Sequence, residues 1–168
     1  KKLPEIAPNW KSRNDDQNYQ FAIVEEGEIQ NEKKAKLDIK KLAFKLYGKV
    51  EDDKDKLLAI LKLLTNQPIS KNSTLNWVQG KVEEYVDTAP RSFVDIINDE
   101  DFEIKVLIAQ AIDAGIIIRK GNKYKTIDGL ELCYEGEAPT YNNAISYLNN
   151  VKNQDIKSLL VAKLNKSK

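Results

Sequence analysis

Apolar side chains recur every three or four residues along most of this chain, which is the spacing of one face of a helix. The pattern predicts helices over residues 33–47, 53–65, 73–86, 88–98 and 102–114, one after residue 140, and a last one around residues 156–164. Ser73 and Thr140 are the expected N-caps of their helices, because a side-chain hydroxyl accepts a hydrogen bond from an unpaired N–H of the first turn. Helices are therefore the main element of the fold.

The helix at 102–114 is apolar on nearly every side. A helix of that kind is buried, so it is predicted to lie in the core. Its expected core positions are Leu107, Ile108, Ala111 and Ile112. Gly115 then ends it, since glycine readily adopts the left-handed backbone that closes many helices.

A β-hairpin is predicted directly after this helix. The runs Ile116–Lys120 and Lys123–Ile127 are rich in strand-forming residues and flank the two-residue turn Gly121-Asn122. Such a turn between two strand-like runs is a strong hairpin signal. Leu130–Tyr134 is expected to add a third strand.

The order of these elements predicts the fold class. A short helix, the three-residue turn 98–100, the apolar helix and the hairpin follow the order of a winged helix-turn-helix. We predict a mainly α fold with a small antiparallel sheet: a winged helix-turn-helix-like domain with helical flanks and an extended N-terminal arm. Residues 1–32 form the arm with one short strand, 33–134 the helical region with the winged-helix-like core, and 135–168 a C-terminal helical pair on the same domain.

The N-terminal arm carries apolar side chains that suit docking. Two prolines near its start favour extended backbone. Leu3, Ile6 and Trp10 are the predicted anchors on a partner, and the alternative is a disordered terminus. Trp77, in contrast, lies off the apolar stripe of its helix and is expected to contact a neighbouring part of the core, and the alternative is an aromatic side chain that faces a partner.

Composition limits the chemistry. The 168 residues are 41% hydrophobic and 32% charged, which is typical of a globular protein, and no apolar run approaches the roughly 20 residues of a membrane span. Histidine is absent and Cys133 is the single cysteine, which removes the usual zinc sites, Ser-His-Asp triads and Cys-His pairs. One cysteine forms no internal disulfide, which fits a reducing compartment. We predict no enzymatic activity, no cofactor and no metal.

The sequence also contains an acidic run and lacks methionine. Asp99, Glu100 and Asp101 form an acidic run, which we interpret as capping and dipole compensation for the next helix rather than as a metal site. Methionine is absent, also from position 1, so we expect the chain to begin inside a longer product or to have lost residues by processing or disorder.

The predicted winged helix lacks the usual signs of base reading. The net charge is only +1, and the face of the would-be recognition helix carries Glu103, Gln110 and Asp113. Carboxylates there would face phosphates of the same sign. The hairpin differs, because its tip is basic. The candidate nucleic-acid or anion contacts are Arg119, Lys120, Lys123 and Lys125. The alternative is a solvated, charged hairpin that protects a sheet edge from pairing.

The layout of the chain resembles a group of known proteins. A Leu-Pro-Glu-Ile…Pro-Asn-Trp arm precedes the acidic segment Ile23–Ile29, the apolar helix with its hairpin, and two C-terminal helices. This layout is similar to that of uncharacterised, virion-associated proteins of tailed phages with AT-rich genomes. The resemblance implies a structural or assembly role with protein partners, in the bacterial host cytoplasm or the virion, and it transfers no functional residue.

These features favour two possible functions. The first is a non-enzymatic protein-interaction module, a virion or assembly component, whose partners are neighbouring subunits. The second is a small winged-helix DNA-binding regulator that contacts phosphates through its basic wing. Neither interpretation includes a membrane.

Overall fold

The computed structural model describes residues 5–23 and 26–166, and these residues are mainly helical. They divide into two compact units, the first ending at Leu42 and the second beginning at Ala43. The described residues form seven α-helices, which are α1 Glu26–Tyr47, α2 Lys54–Thr65, α3 Leu75–Thr88, α4 Pro90–Ile97, α5 Phe102–Asp113, α6 Tyr141–Asn149 and α7 Gln154–Lys166. The strands are β1 Ile6–Ala7, β2 Phe21–Ala22, β3 Ile117–Lys120 and β4 Lys123–Thr126. No helix among the described residues is both long enough and apolar enough to span a bilayer.

The first unit folds back on itself instead of extending as the predicted arm does. β1 pairs in parallel with β2, and a 3-10 helix at Lys11–Asn14 lies between them. The Asn9 side chain starts this turn by accepting a hydrogen bond from the Ser12 N–H at 2.9 Å. Extended backbone is therefore confined to short stretches, because local side-chain bonding turns the chain after Asn9. The predicted domain boundary at residues 32 and 33 stays a prediction.

Helix α1 begins earlier than predicted, at Glu26 instead of residue 33. Residues 26–32 contain three glutamates and no basic residue. This segment has little apolar periodicity, so the pattern of apolar residues did not indicate the first part of the helix.

The core of the second unit is built around α5. This helix contacts α2, α6, α7 and β3. Its buried residues are Phe102, Ile104, Val106, Leu107, Ile108 and Ala111. The prediction that 102–114 is a core helix is confirmed, although Ile112 is only partly buried.

The antiparallel hairpin is confirmed with the predicted turn. Ile117 pairs with Thr126, and Lys120 pairs with Lys123 across the turn. Gly121 has φ +62°, a left-handed value that glycine adopts without strain. The glycine therefore permits the tight reversal that brings the two strands into register.

The predicted third strand at Leu130–Tyr134 is wrong. This segment forms only a single β-bridge, between Lys125 and Glu131. The chain turns sharply at Gly129, and the Thr126 hydroxyl accepts a hydrogen bond from the Leu130 N–H. This local turn uses the backbone groups that a longer ladder would need.

Two predictions on α3 are also wrong. Thr74, not Ser73, is its N-cap, with the hydroxyl accepting from the Trp77 N–H at 3.3 Å. The Trp77 side chain is 47% exposed and does not join the core. The buried stripe of α3 consists of Val78, Val82 and Val86, and Trp77 lies beside this stripe. Thr140 caps α6 as predicted.

Candidate interaction surfaces

The first candidate surface is an apolar face of the N-terminal unit. The β1–β2 register places Ile6 beside Phe21 and places the buried Ala7 beside Ala22 on the other side of the strand pair. The Ile23 N–H continues the ladder to the Ala7 carbonyl at 3.1 Å. Because side chains alternate along a strand, Ile23 shares the face of Phe21. We name Ile6, Phe21 and Ile23 the N-terminal apolar face.

This face is open to solvent. Phe21 is 65% exposed and Ile23 is 54% exposed, while Ile6 is half-buried. Ile6 was among the predicted docking residues, whereas Phe21 and Ile23 were not. The large-small-large order of residues 21–23 was the available signal, since alternation on a strand turns both large side chains to one side.

Trp10 belongs to the same unit and is held in place while it remains 49% exposed. The Arg13 guanidinium lies over its ring at 4.2 Å, and Arg13 Nη1 donates a hydrogen bond to the Trp10 carbonyl at 3.0 Å. A cation over an indole face is attracted by the ring quadrupole, which orders the side chain without burying it. The third predicted anchor, Leu3, lies outside the described residues.

The second candidate surface is the basic hairpin, whose four basic residues are divided between its two faces. Alternation along β3 and β4 puts Lys120, Lys123 and Lys125 on one side together with Ile118. We name these four residues the outer hairpin face. All four are exposed.

Arg119 lies on the opposite side of the hairpin, opposite Tyr124 in the register. Its Nε donates to the Gly121 carbonyl at 3.1 Å, and its guanidinium carbon lies 5.8 Å from the centre of the Tyr124 ring. Tyr124 packs in turn against Tyr141, with ring centres 5.4 Å apart. Burial raises the pKa of Tyr141 to about 12, Tyr124 and Asp99 add to this rise, and the Arg119 charge opposes it. Arg119 is therefore engaged within the protein.

An acidic neighbour of the outer hairpin face was not predicted. The bridge between Lys125 and Glu131 places a carboxylate-bearing residue beside the basic strand. Even so, within residues 5–23 and 26–166 no ion pair forms to Arg119, Lys120, Lys123 or Lys125. Among the described residues Lys125 therefore has one acidic neighbour, and Lys120 and Lys123 have no ion-pair partner.

Three of the four polar residues of α5 form ion pairs. Lys56 pairs with Glu103 at 3.0 Å, and Lys62 pairs with Asp113, so that α2 supplies both partners. Lys105 pairs with Asp99 at 2.6 Å. A helix that is apolar on most sides and ion-paired at three polar positions is a core element of the fold.

The acidic turn before α5 has a structural role, and Asp99 makes the hydrogen bonds that show it. Asp101 occupies the N-cap position of α5 without a side-chain cap bond. Asp99 instead accepts hydrogen bonds from the Asp101 N–H at 2.8 Å and from Lys105 Nζ. The Lys105 bond, the Asp101 bond and the Lys105 charge lower the pKa of Asp99. Across the described residues, no group of three or more carboxylate or thiol side chains is placed to hold a metal ion.

A small cleft lies among α2, α5 and α7, with a volume of about 160 Å³. Leu58, Gln110, Asp113 and Leu164 contribute to its lining. Asp113 is already paired with Lys62, so this carboxylate is committed to a structural contact.

A scan against protein-family models and searches of curated proteins and of solved structures gave no match to this chain. The phage resemblance and the winged-helix interpretation are accordingly carried forward as proposals.

Proposed function

We propose that this protein is a non-enzymatic protein-interaction module that docks on a protein partner through the N-terminal apolar face. The observation that carries this proposal is the exposure of two large apolar side chains, Phe21 at 65% in a hydrogen-bonded strand pair and Ile23 at 54% directly after that strand. Apolar surface removed from water contributes about 25 cal/mol per Å². An aromatic anchor with an aliphatic neighbour is the usual composition of an interface centre.

The setting proposed for this module is the virion or the assembly pathway of a tailed phage. The layout resemblance of the sequence supports this setting, with neighbouring subunits as partners in the host cytoplasm or the particle. Within it, α4, α5 and the β3–β4 hairpin act as a winged-helix-like body. The buried, ion-paired α5 supports a role for this body as a spacer or adaptor rather than as a base reader.

The test is capture of partners from the native source by the tagged full chain, followed by cross-linking mass spectrometry. The double variant Phe21→Ser/Ile23→Ser should lose the captured partner, and cross-links in the wild type should map to the first unit. Exposed residues tolerate such changes, so circular dichroism should show an unchanged fold.

Matched controls come from equally exposed apolar residues elsewhere in the chain. Ile127 is 60% exposed and Trp77 is 47% exposed. The variant Ile127→Ser/Trp77→Ser should retain the partner. Loss of the partner in this control, or its retention in Phe21→Ser/Ile23→Ser, would show that the N-terminal apolar face is not the docking surface.

A further inference from the structure

The register of the hairpin concentrates positive charge beyond what the sequence order shows. Lys120 lies directly opposite Lys123, and Lys125 is two residues further along the same strand. Directly opposed residues have β-carbons about 4.5–5.5 Å apart, and residues i and i+2 of a strand are separated by roughly 7 Å. The ammonium groups of these three flexible lysine side chains therefore lie close together on the outer hairpin face.

The charges of this patch are only partly balanced. Lys120 and Lys123 are like charges directly opposite each other, which destabilises the sheet, whereas Lys125 has Glu131 as its bridge partner. The turn residues Gly121 and Asn122 carry no charge, and the described residues provide no ion pair for the three lysines. A bound anionic partner would remove the repulsion.

The chemistry of the patch favours a chain of phosphates over a single carboxylate ligand. The lysine ammonium is a point charge without the fork that arginine offers to a planar anion, and the one arginine nearby is turned away against Tyr124. Lysine ammonium groups spaced along a strand can each contact a phosphate of a nucleic-acid backbone, and such contacts do not distinguish one base from another.

We propose that the outer hairpin face binds the phosphate backbone of nucleic acid without sequence specificity, through Lys120, Lys123 and Lys125. This surface belongs to the second unit, and it is a separate site from the N-terminal apolar face. The proposal does not depend on protein docking, so either can fail alone.

The experiment is fluorescence anisotropy of labelled duplex DNA with the full chain at several salt concentrations. Three phosphate contacts predict a slope of log K against log salt of about −2.7. Affinity should thus fall about 40-fold between about 50 and about 200 mM salt. Two duplexes of unrelated sequence should bind equally.

Variants on each face of the hairpin test which face contributes to DNA binding. Lys120→Gln/Lys123→Gln/Lys125→Gln should abolish binding, whereas Arg119→Gln should leave both affinity and slope unchanged. Lys33→Gln/Lys34→Gln/Lys36→Gln removes the same charge from exposed positions of α1 and should also bind normally. This control excludes an effect of net charge alone.

Several results would overturn the proposal. They are the absence of DNA binding at low salt, equal loss of binding in the α1 control, and binding that persists in the hairpin triple variant. Tighter binding of poly-L-glutamate than of duplex DNA at equal charge concentration would instead indicate an acidic protein as the partner and would also reject a nucleic-acid site.

Discussion

Arg119 and Lys120 are adjacent in the sequence and carry the same charge, but the strand turns them to opposite faces. Arg119 donates to the Gly121 carbonyl and lies near the Tyr124 ring, while Lys120 faces Lys123 in solvent. Strand alternation alone predicts this separation. The tyrosine that engages Arg119 is set by the cross-strand register.

Asp99 allows the contribution of one charged carboxylate to the stability of the fold to be measured. Its pKa is lowered by the hydrogen bonds from Lys105 and from the Asp101 N–H. A carboxylate with a folded pKa below its unfolded value of about 3.9 stabilises the fold above that pH, and the contribution is lost as pH falls through the folded pKa. Asp99→Asn should therefore unfold at lower urea concentration at neutral pH.

The same measurement over a pH series supplies the control. The difference between wild type and Asp99→Asn should shrink as pH falls below about 3.9 and should disappear below the lowered pKa of folded Asp99, where both side chains are uncharged. Asp95→Asn, at an exposed position of α4, should behave like the wild type throughout. A difference for Asp99→Asn that is independent of pH would reject the electrostatic explanation.

Among the elements, α5 was the best predicted, because its apolar residues occupy nearly all sides. That pattern requires burial in any tertiary arrangement, and the structure surrounds α5 with α2, α6, α7 and β3. Helix α3 was less well predicted. Its valine stripe is buried as expected, but propensity alone does not choose between Ser73 and Thr74 as the cap.

Truncation of Leu107 should measure the burial of α5. Leu107 is 7% exposed, so Leu107→Ala should lower the free energy of unfolding by roughly 2–5 kcal/mol. Leu159→Ala on α7 is the matched control, since Leu159 is 53% exposed and should change stability by less than about 1 kcal/mol. Equal effects in chemical denaturation would place α5 at the surface.

Substitution of glycine by alanine should lower the stability of the protein at one position and raise it at another. Gly121 has φ +62°, and an alanine there is strained by roughly 1–2 kcal/mol. Gly80 lies inside α3 with open space where the methyl group of an alanine would lie, so Gly80→Ala should stabilise the protein by about 0.5–1 kcal/mol. Urea denaturation of both variants checks this; a stabilising Gly121→Ala would mean that the hairpin turn is formed differently.

For the molecule as a whole, the two units carry different candidate surfaces. The first presents Phe21, Ile23 and Trp10 to solvent, and the second presents the outer hairpin face. One buried cluster of the second unit contains residues between Ile104 and Leu164. We expect the folding of this cluster not to require the N-terminal segment.

Deletion of residues 1–12 tests this independence. The deletion removes β1 and Trp10, so the variant should lose partner capture while its main thermal unfolding transition stays within a few degrees of the wild type. Circular dichroism melts and the capture assay give the two measurements. A large drop in the unfolding temperature would show that the segment contributes to the core.

Local sequence was enough to establish the helical class, the buried α5 and the hairpin with its glycine turn. Each follows from information carried by neighbouring residues: apolar periodicity, strand-forming residues and the conformational freedom of glycine. Tertiary packing decided which surfaces remain open. It left Trp77 exposed beside a narrow valine stripe, reduced the expected third strand to one bridge, and left Phe21 and Ile23 uncovered. These outcomes depend on which segments pack together, and that information is distributed over residues far apart in the chain.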